Sequence, residues 1–257
     1  MSPRVWVRTS AVFFCLSMSV GCASTALSRP AVDFNRRGAA QLARGALDEA
    51  EASLRVSLEF NDRYAEANNN LGLVYLARRE PERAMPYFLR AISLNHDFAE
   101  AHNNVGLAHS QSRADTAEFR LTRAQRSFEE ALSIEPRLLE ARLNLCRTLL
   151  ALGHNGPALD HARRAVQITP RRGEALVLRA EAALRLGLLD EARESVLLAE
   201  RALPFAADVL FTRARVEAAT ENLDQALQIL SRIAHDPQYG ARATALAEAL
   251  QRAVSVP

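Results

Sequence analysis

Three asparagines, Asn70, Asn104 and Asn144, each stand one residue before a leucine or valine that is followed by a small residue. A carboxamide group offers both donors and an acceptor for hydrogen bonds. A row of such groups could therefore bind the main chain of an extended peptide, and it would tolerate varied partner side chains. The alternative is a set of solvated amides on helix surfaces, since asparagine is only a mediocre helix former.

The neighbouring residues fit the first interpretation. Two further asparagines adjoin members of the row, and leucines at constant spacing supply apolar surface beside it. The predicted peptide-binding residues are Asn69, Asn70, Leu73, Asn103, Asn104, Leu107 and Asn144.

Candidate catalytic residues are few. His102 and His109 lie seven residues apart with His96 nearby, which makes a metal site conceivable, but helix packing is the simpler interpretation. Cys146 stands directly after Leu145, at a position where Gly72 and Gly106 follow Leu71 and Val105. We therefore predict that it is a buried packing residue rather than a nucleophile. The sequence contains no serine elbow motif, no His-Glu-x-x-His and no glycine-rich phosphate loop. We therefore predict a protein that is not an enzyme and has no cofactor, no bound metal and no small-molecule substrate.

The charge pattern argues against nucleic acid as a partner. All 32 basic residues are arginines, and they are interleaved with 30 acidic residues, which leaves a formal net charge of +2. Such a balance provides no electrostatic reason to bind a phosphate backbone. The absence of lysine also excludes Schiff-base chemistry and a phosphate-loop lysine.

Residues 65–98 contain the pattern that organises the chain. Leu71-Gly72, Tyr75, Ala84 and Phe88 resemble the tetratricopeptide signature, which has a period of 34 residues. The resemblance implies two antiparallel helices, with large residues between them and small residues where they approach closely. It also implies that the asparagine row lies on the first helix of each pair and faces a concave groove.

The pattern recurs almost without gaps, so we predict an all-α fold: a right-handed superhelical solenoid of six tetratricopeptide helix pairs and a C-terminal capping helix. The predicted repeats are 31–64, 65–98, 99–138, 139–172, 173–206 and 207–240, and the capping helix is 241–254. The third repeat is about six residues too long. We read its extra segment, 112–123, as an early start of the second helix, capped by Asp115 and projecting roughly 9 Å at 1.5 Å per residue. Pro86 should distort the second helix of repeat two.

The N-terminus reads as a secretion signal. Residues 1–21 contain two arginines and then an apolar run that is too short to span a bilayer. The run ends in Gly21-Cys22, which resembles the lipobox of bacterial lipoproteins; that resemblance implies lipidation of Cys22, a tether over 22–30 and a repeat domain over 31–257. It also implies attachment to the outer membrane, facing the periplasm. An ordinary signal peptide cleaved near Ala23 is the alternative.

A lipobox followed by six tandem repeats resembles the pilotin lipoproteins of type IV pilus biogenesis, which help the secretin subunit reach the outer membrane and assemble. The resemblance implies a scaffold that binds an extended segment of a protein partner, such as the secretin subunit, in its groove. Three alternatives stay open: a scaffold for cell-wall hydrolases, a component of the outer-membrane protein insertion machinery, and a metal-dependent enzyme built on the three histidines.

Overall fold

The computed structural model describes residues 28–254, and the secondary structure of this part consists of helices and the turns between them. The helices are α1 Arg29–Ala43, α2 Leu47–Phe60, α3 Ala65–Ala77, α4 Pro81–Leu94, α5 Ala99–Gln111, α6 Ala117–Ile134, α7 Leu139–Ala151, α8 Asn155–Ile168, α9 Gly173–Arg185, α10 Leu189–Ala202, α11 Ala207–Ala219, α12 Leu223–Arg232 and α13 Gly240–Val254. Over these residues the predicted all-α solenoid of six helix pairs plus a last helix is confirmed.

The turn inside a helix pair has the same backbone conformation in five of the six pairs. After Gly45, for example, the Ala46 N–H donates to the Gln41 carbonyl at 3.0 Å, which closes the helix end in a Schellman motif. Such a motif needs one residue in the left-handed region, where glycine is favoured. The residues with this conformation are Gly45, Arg79, Gly153, Gly187 and Glu221.

In the first three pairs, the core depends on a glycine of the first helix that faces a larger residue of the second. A Cβ added at Gly72 would come within 2.5 Å of the Phe88 ring, and one added at Gly106 would come equally close to Phe128. Small residues at this register therefore let the two helices approach until the rings are buried. These facing residues are Gly38/Leu54, Gly72/Phe88 and Gly106/Phe128. The equivalent positions of the last three pairs are buried and hold Cys146/Ala162, Ala180/Val196 and Ala214/Leu230.

The third pair departs from this plan where the sequence is too long. The second helix does start early, but its N-cap is Thr116, whose hydroxyl accepts from the Phe119 N–H at 3.4 Å. The expected cap, Asp115, instead lies 3.8 Å from Arg123. Helix α6 has 18 residues against 14 in α4, so the projection is about 6 Å rather than 9 Å. The extra residues that are not in α6 form a loop over 112–116.

Pro86 does not interrupt its helix. Helix α4 continues through it to Leu94, and Pro81 occupies the first turn, where a missing N–H costs no hydrogen bond. The expected distortion by Pro86 therefore does not break α4.

The two ends of the array are closed differently. Helix α1 begins at Arg29, inside the predicted tether, with the Ser28 hydroxyl accepting from the Ala31 N–H. At the other end, α13 covers the last pair: Ala243 is fully buried and Leu246 packs against the cluster that contains Phe211 and Leu230. The predicted signal peptide and the lipidation site Cys22 lie outside the described residues. Among the helices described here, none has the length and apolarity needed to cross a bilayer.

Candidate functional site

The first helices of successive pairs lie side by side and form one continuous surface, which we call the inner face. Helices α1, α3, α5, α7, α9 and α11 contact one another in this order. The predicted peptide-binding residues belong to α3, α5 and α7. Because the repeats stack in register, equivalent positions on these helices become neighbours.

The asparagines on this surface bind one another. The Asn144 Nδ2 donates to Asn103 Oδ1 at 2.8 Å, and Asn103 Nδ2 donates to Asn104 Oδ1 at 3.2 Å. Asn104 Nδ2 in turn donates to Asn69 Oδ1 at 2.8 Å. Arg147 starts the series by donating to Asn144 Oδ1 at 2.6 Å. We call these five residues the amide ladder. Each hydrogen bond between two of its helices has its donor on the later helix, and each bond in the series polarises the next.

A second, shorter branch joins the first two pairs. Asn70 Nδ2 donates to Asn35 Oδ1 at 2.9 Å, and Asn35 Nδ2 donates to the Tyr64 hydroxyl at 3.2 Å. Asn70 is only half-buried, whereas the four asparagines of the amide ladder are 6–7% exposed. Asn70 is therefore the most accessible of the predicted asparagines.

The buried amides hold neighbouring helices together, and this is a role that the sequence interpretation did not include. Their function as peptide ligands stays a prediction. Leu73 and Leu107 are half-buried, and Leu107 lines a cleft of about 280 Å³ together with Leu121, Phe128 and Arg147. This cleft is open to an apolar partner side chain next to the ladder.

The C-terminal half of the inner face contains residues that the sequence analysis missed. Arg147, Glu181 and Arg215 follow Leu73 and Leu107 at the same register, so the repeat spacing alone was the signal that could have found them. Arg147 pairs with Glu174, and Glu181 pairs with both Arg185 and Arg215.

These ion pairs border a cleft of about 420 Å³ that α13 closes at one end. The Arg242 guanidinium lies over the Phe211 ring, 4.6 Å from its centroid, and Tyr239 lies beside Phe211 with centroids 5.5 Å apart. Arg147 lines this cleft as well as the smaller one. The inner face therefore offers two adjacent clefts, one beside amides and leucines and one among charges and aromatic rings.

Comparisons with known proteins agree with this architecture. Residues 65–98 match the tetratricopeptide repeat family model. PilF of Pseudomonas aeruginosa is 18% identical, with a TM-score of 0.72 over 84% of this chain and 97% of that one. PilW, described as a widely conserved type IV pilus biogenesis factor, also has 18% identity and a TM-score of 0.72, over 85% and 99% of the two chains. The fold is that of a tetratricopeptide array.

A third solved structure resembles this chain less closely than PilF and PilW do. YrrB, described as having an unusual peptide-binding site, is 23% identical, with a TM-score of 0.58 over 74% of this chain and 97% of that one. No curated protein sequence matches the chain. Since arrays of this fold offer extended surfaces to other proteins, the fold supports protein–protein interaction.

His96 is exposed in the turn before α5, His102 and His109 belong to α5, and Cys146 belongs to α7. His102 Nδ1 lies 3.3 Å from Glu130 Oε2, and His102 Nε2 lies 3.3 Å from the His96 carbonyl oxygen. Burial lowers the pKa of His109. Within residues 28–254, no three histidine, cysteine, aspartate or glutamate side chains are grouped so that they could hold a metal ion.

Cys146 is fully buried, and its thiol donates to the Ala158 carbonyl at 3.3 Å. Burial raises its pKa to about 12. The thiolate is the nucleophilic form, so this cysteine is suited to packing rather than to reaction.

Proposed function

We propose that this tetratricopeptide array is a scaffold that binds an extended segment of a protein partner along its inner face. The observation that carries the proposal is the pair of adjacent clefts, about 280 and 420 Å³, that meet at Arg147. Clefts in series along a stacked surface suit a chain that places successive side chains into them. The half-buried leucines beside the first cleft provide apolar contact, and Asn70 provides hydrogen bonds to a partner backbone.

We also propose that the chain is anchored by lipid at Cys22 to the outer membrane, facing the periplasm, and acts as a pilotin-like factor in assembly of a type IV pilus secretin. The Gly21-Cys22 motif after a short apolar run supports the anchor. The similarity to PilF and to the pilus biogenesis factor PilW over nearly their whole lengths supports the pilus role.

The anchor is tested by replacing Cys22 with Ala. We expect the variant to leave the membrane fraction or to accumulate unprocessed, because an acyl chain can no longer be attached. A fully processed Cys22→Ala protein that still sediments with outer membranes would contradict the anchor.

The pilus role is tested in cells that lack the chain. We expect the secretin subunit to persist as monomer there and to form detergent-resistant multimers again when the wild-type gene is restored. Unchanged secretin multimers in the deletion strain would rule out the pilotin role. Altered processing of cell-wall hydrolases or reduced barrel insertion, with normal multimers, would select one of the other scaffold functions.

The inner face is tested by Leu73→Ala/Leu107→Ala. Each change removes part of an apolar contact, about 1 to 2 kcal/mol, so binding of purified secretin subunit should weaken at least roughly tenfold. The matched control is Leu89→Ala, because Leu89 is 52% exposed but belongs to α4, outside the inner face. Equal affinity for all three proteins would show that the partner binds elsewhere.

A further inference from the structure

The loop of the third pair forms part of a further cavity, which shares no lining residue with the two clefts of the inner face. This cavity, which we call the edge pocket, has a volume of about 690 Å³. Its apolar wall includes Leu76 and Pro81, from the end of α3 and the start of α4. Arg79, Arg113 and Arg120 supply positive charge, and Glu82 supplies the one carboxylate among the lining residues.

The loop is fixed in place by hydrogen bonds to the helices on both sides. The Ser112 hydroxyl donates to Glu82 Oε1 at 2.9 Å. The Arg120 guanidinium donates to the Ser110 and Ser112 carbonyls at 3.0 and 3.2 Å. The extra residues of the third repeat therefore form an ordered wall of the edge pocket.

The positive charge of the pocket is largely uncompensated. Glu82 already accepts hydrogen bonds, and its own backbone N–H and the Ser112 hydroxyl lower its pKa, which keeps it ionised. Within the described residues, no carboxylate lies within 4.0 Å of the Arg79 or Arg113 guanidinium, although the charge of Arg113 also helps to lower the pKa of Glu82. The pocket thus holds more positive than negative charge: Arg79 has no carboxylate partner, and Arg113 shares only the charge of Glu82.

Arg79 is an unusual residue for its position. It has φ of 63°, the left-handed conformation that three other pairs fill with glycine. Glycine adopts this conformation without a steric penalty, whereas arginine does not. A strained residue with a free charge beside a cavity suggests that the side chain has a role in binding.

We propose that the edge pocket binds an acidic segment of a protein partner, with carboxylates on Arg79 and Arg113 and aliphatic groups against Leu76 and Pro81. Arginine binds carboxylates with paired, charge-assisted hydrogen bonds. The apolar wall and the ionised Glu82 favour a mixed peptide surface over a bare phosphate or a lipid headgroup. This inference goes beyond the proposed scaffold function by specifying that the bound partner segment is acidic. It rests on that function only because it takes the partner to be a protein.

The test uses the purified full-length protein in non-ionic detergent and two fluorescein-labelled octapeptides of Glu, Leu and Gly, identical except that Gln replaces Glu in the second. Fluorescence anisotropy should show tighter binding of the Glu peptide, weakened by added salt. Arg79→Gly/Arg113→Gln should weaken that binding by about tenfold or more, through loss of two charge-assisted contacts. The fold should survive, because glycine already occupies the register of Arg79 in three pairs and Arg113 is exposed on a loop.

The matched control is Glu221→Gly, which makes the same backbone change in the sixth pair, far along the chain from the edge pocket. It should leave peptide affinity unchanged. Absence of binding to the wild type, equal affinity for the Gln peptide, or equal affinity of the double variant would each overturn the proposal.

Vesicles containing anionic lipid form a further arm of the test. If they bind and the Glu peptide does not, the pocket recognises a membrane and the inference is wrong. The peptide assay uses no secretin, so its failure leaves the pilotin role untouched; unchanged secretin multimers in the deletion strain would leave the pocket untouched.

Discussion

The two halves of the inner face have the same helix plan but different chemistry. In the first three pairs and the start of the fourth, neighbouring helices are joined by neutral amides, as in the contact of Asn104 with Asn69. In the last pairs they are joined by ions, as in the contact of Arg215 with Glu181. In a stacked array each helix pair contacts only its neighbours. The polar groups of one half can therefore be paired differently from those of the other half.

The cores of the two halves differ as well. In the first three pairs a glycine faces Leu54, Phe88 or Phe128. The equivalent buried positions of the fourth and fifth pairs hold Cys146 with Ala162 and Ala180 with Val196. In these two pairs a larger residue on the first helix accompanies a smaller one on the second. This difference predicts that the same kind of truncation has unequal effects in the two halves.

The largest effect is expected in the core. Phe128→Ala should lower the free energy of unfolding by about 3 to 5 kcal/mol, since a fully buried ring would leave a cavity beside Gly106. Val196→Ala, at the same register of the fifth pair, should cost only about 1 to 2 kcal/mol because fewer carbon atoms are removed from the core. Urea unfolding followed by circular dichroism measures both. Equal losses would show that the two cores are not built differently.

In the first half, acid should lower stability through protonation of Glu51. The hydrogen bond from Tyr75 is the main reason why its pKa falls to about 2, from 4.5, with Arg78 and Arg55 also contributing. Since the folded pKa is the lower one, this stabilisation is present above about pH 4.5 and is lost as the pH falls toward 2. We expect roughly 2 to 3 kcal/mol from this group.

Glu51→Gln should remove most of that stabilisation at pH 7 and flatten the dependence of unfolding free energy on pH between 5 and 3. Glu59→Gln is the control, because Glu59 is an exposed acid on the same helix. If Glu51→Gln and wild type lose stability in parallel on acidification, the carboxylate of Glu51 is not the responsible group.

Added salt should change the stabilisation by the ion pairs of the inner face but not the stabilisation by the amide ladder. Asn103→Ala leaves buried partners on both sides unpaired, so we expect a loss of about 1 to 3 kcal/mol that is the same at low and high salt. Glu181→Gln removes the charge partner of Arg185 and Arg215, with an expected loss of about 1 kcal/mol that shrinks in 1 M NaCl. Urea titrations of both variants at two salt concentrations measure this. The comparison fails if the two variants respond to salt alike.

The smallest effect concerns the turns. Arg79→Gly should stabilise the protein by about 0.5 to 1 kcal/mol, because glycine relieves the left-handed strain, and Glu221→Gly should do the same in the other half. Gly153→Ala, which introduces the strain, is the opposite control and should destabilise by a similar amount. Thermal melts of the three variants are sufficient. A destabilised Arg79→Gly would mean that its side chain contributes more to folding than the backbone strain costs.

Much of the fold could be predicted because helix pairs leave a strong periodic signature. Leu71, Gly72, Tyr75 and Phe88 each have a packing role that few other residue types can fill, and the same roles recur at regular spacing. The cap of α6 was wrong by one residue, because Asp115 and Thr116 are both capable caps and only the path of the loop decides between them.

The site was less predictable. The repeat register placed Asn104 and Asn144 on one face, but spacing does not tell whether an amide contacts solvent, a ligand or another amide. Arg147 and Glu181 were missed because the residue type at the register of Leu73 and Leu107 changes to arginine and glutamate, so that only the spacing pointed to them. The edge pocket depends on the conformation of the loop over 112–116, and the repeat period of the sequence does not predict a loop conformation.

The loop over 112–116 also shows where this chain tolerates a change in length. The fourth, fifth and sixth pairs begin at Leu139, Gly173 and Ala207, again 34 residues apart, so the extra residues shift nothing beyond their own repeat. Each pair rests only on its neighbours, and an insertion at a turn is absorbed where it occurs. Such a turn is a place where evolution, or an engineer, can graft a longer segment onto the array and leave the rest of the scaffold unchanged.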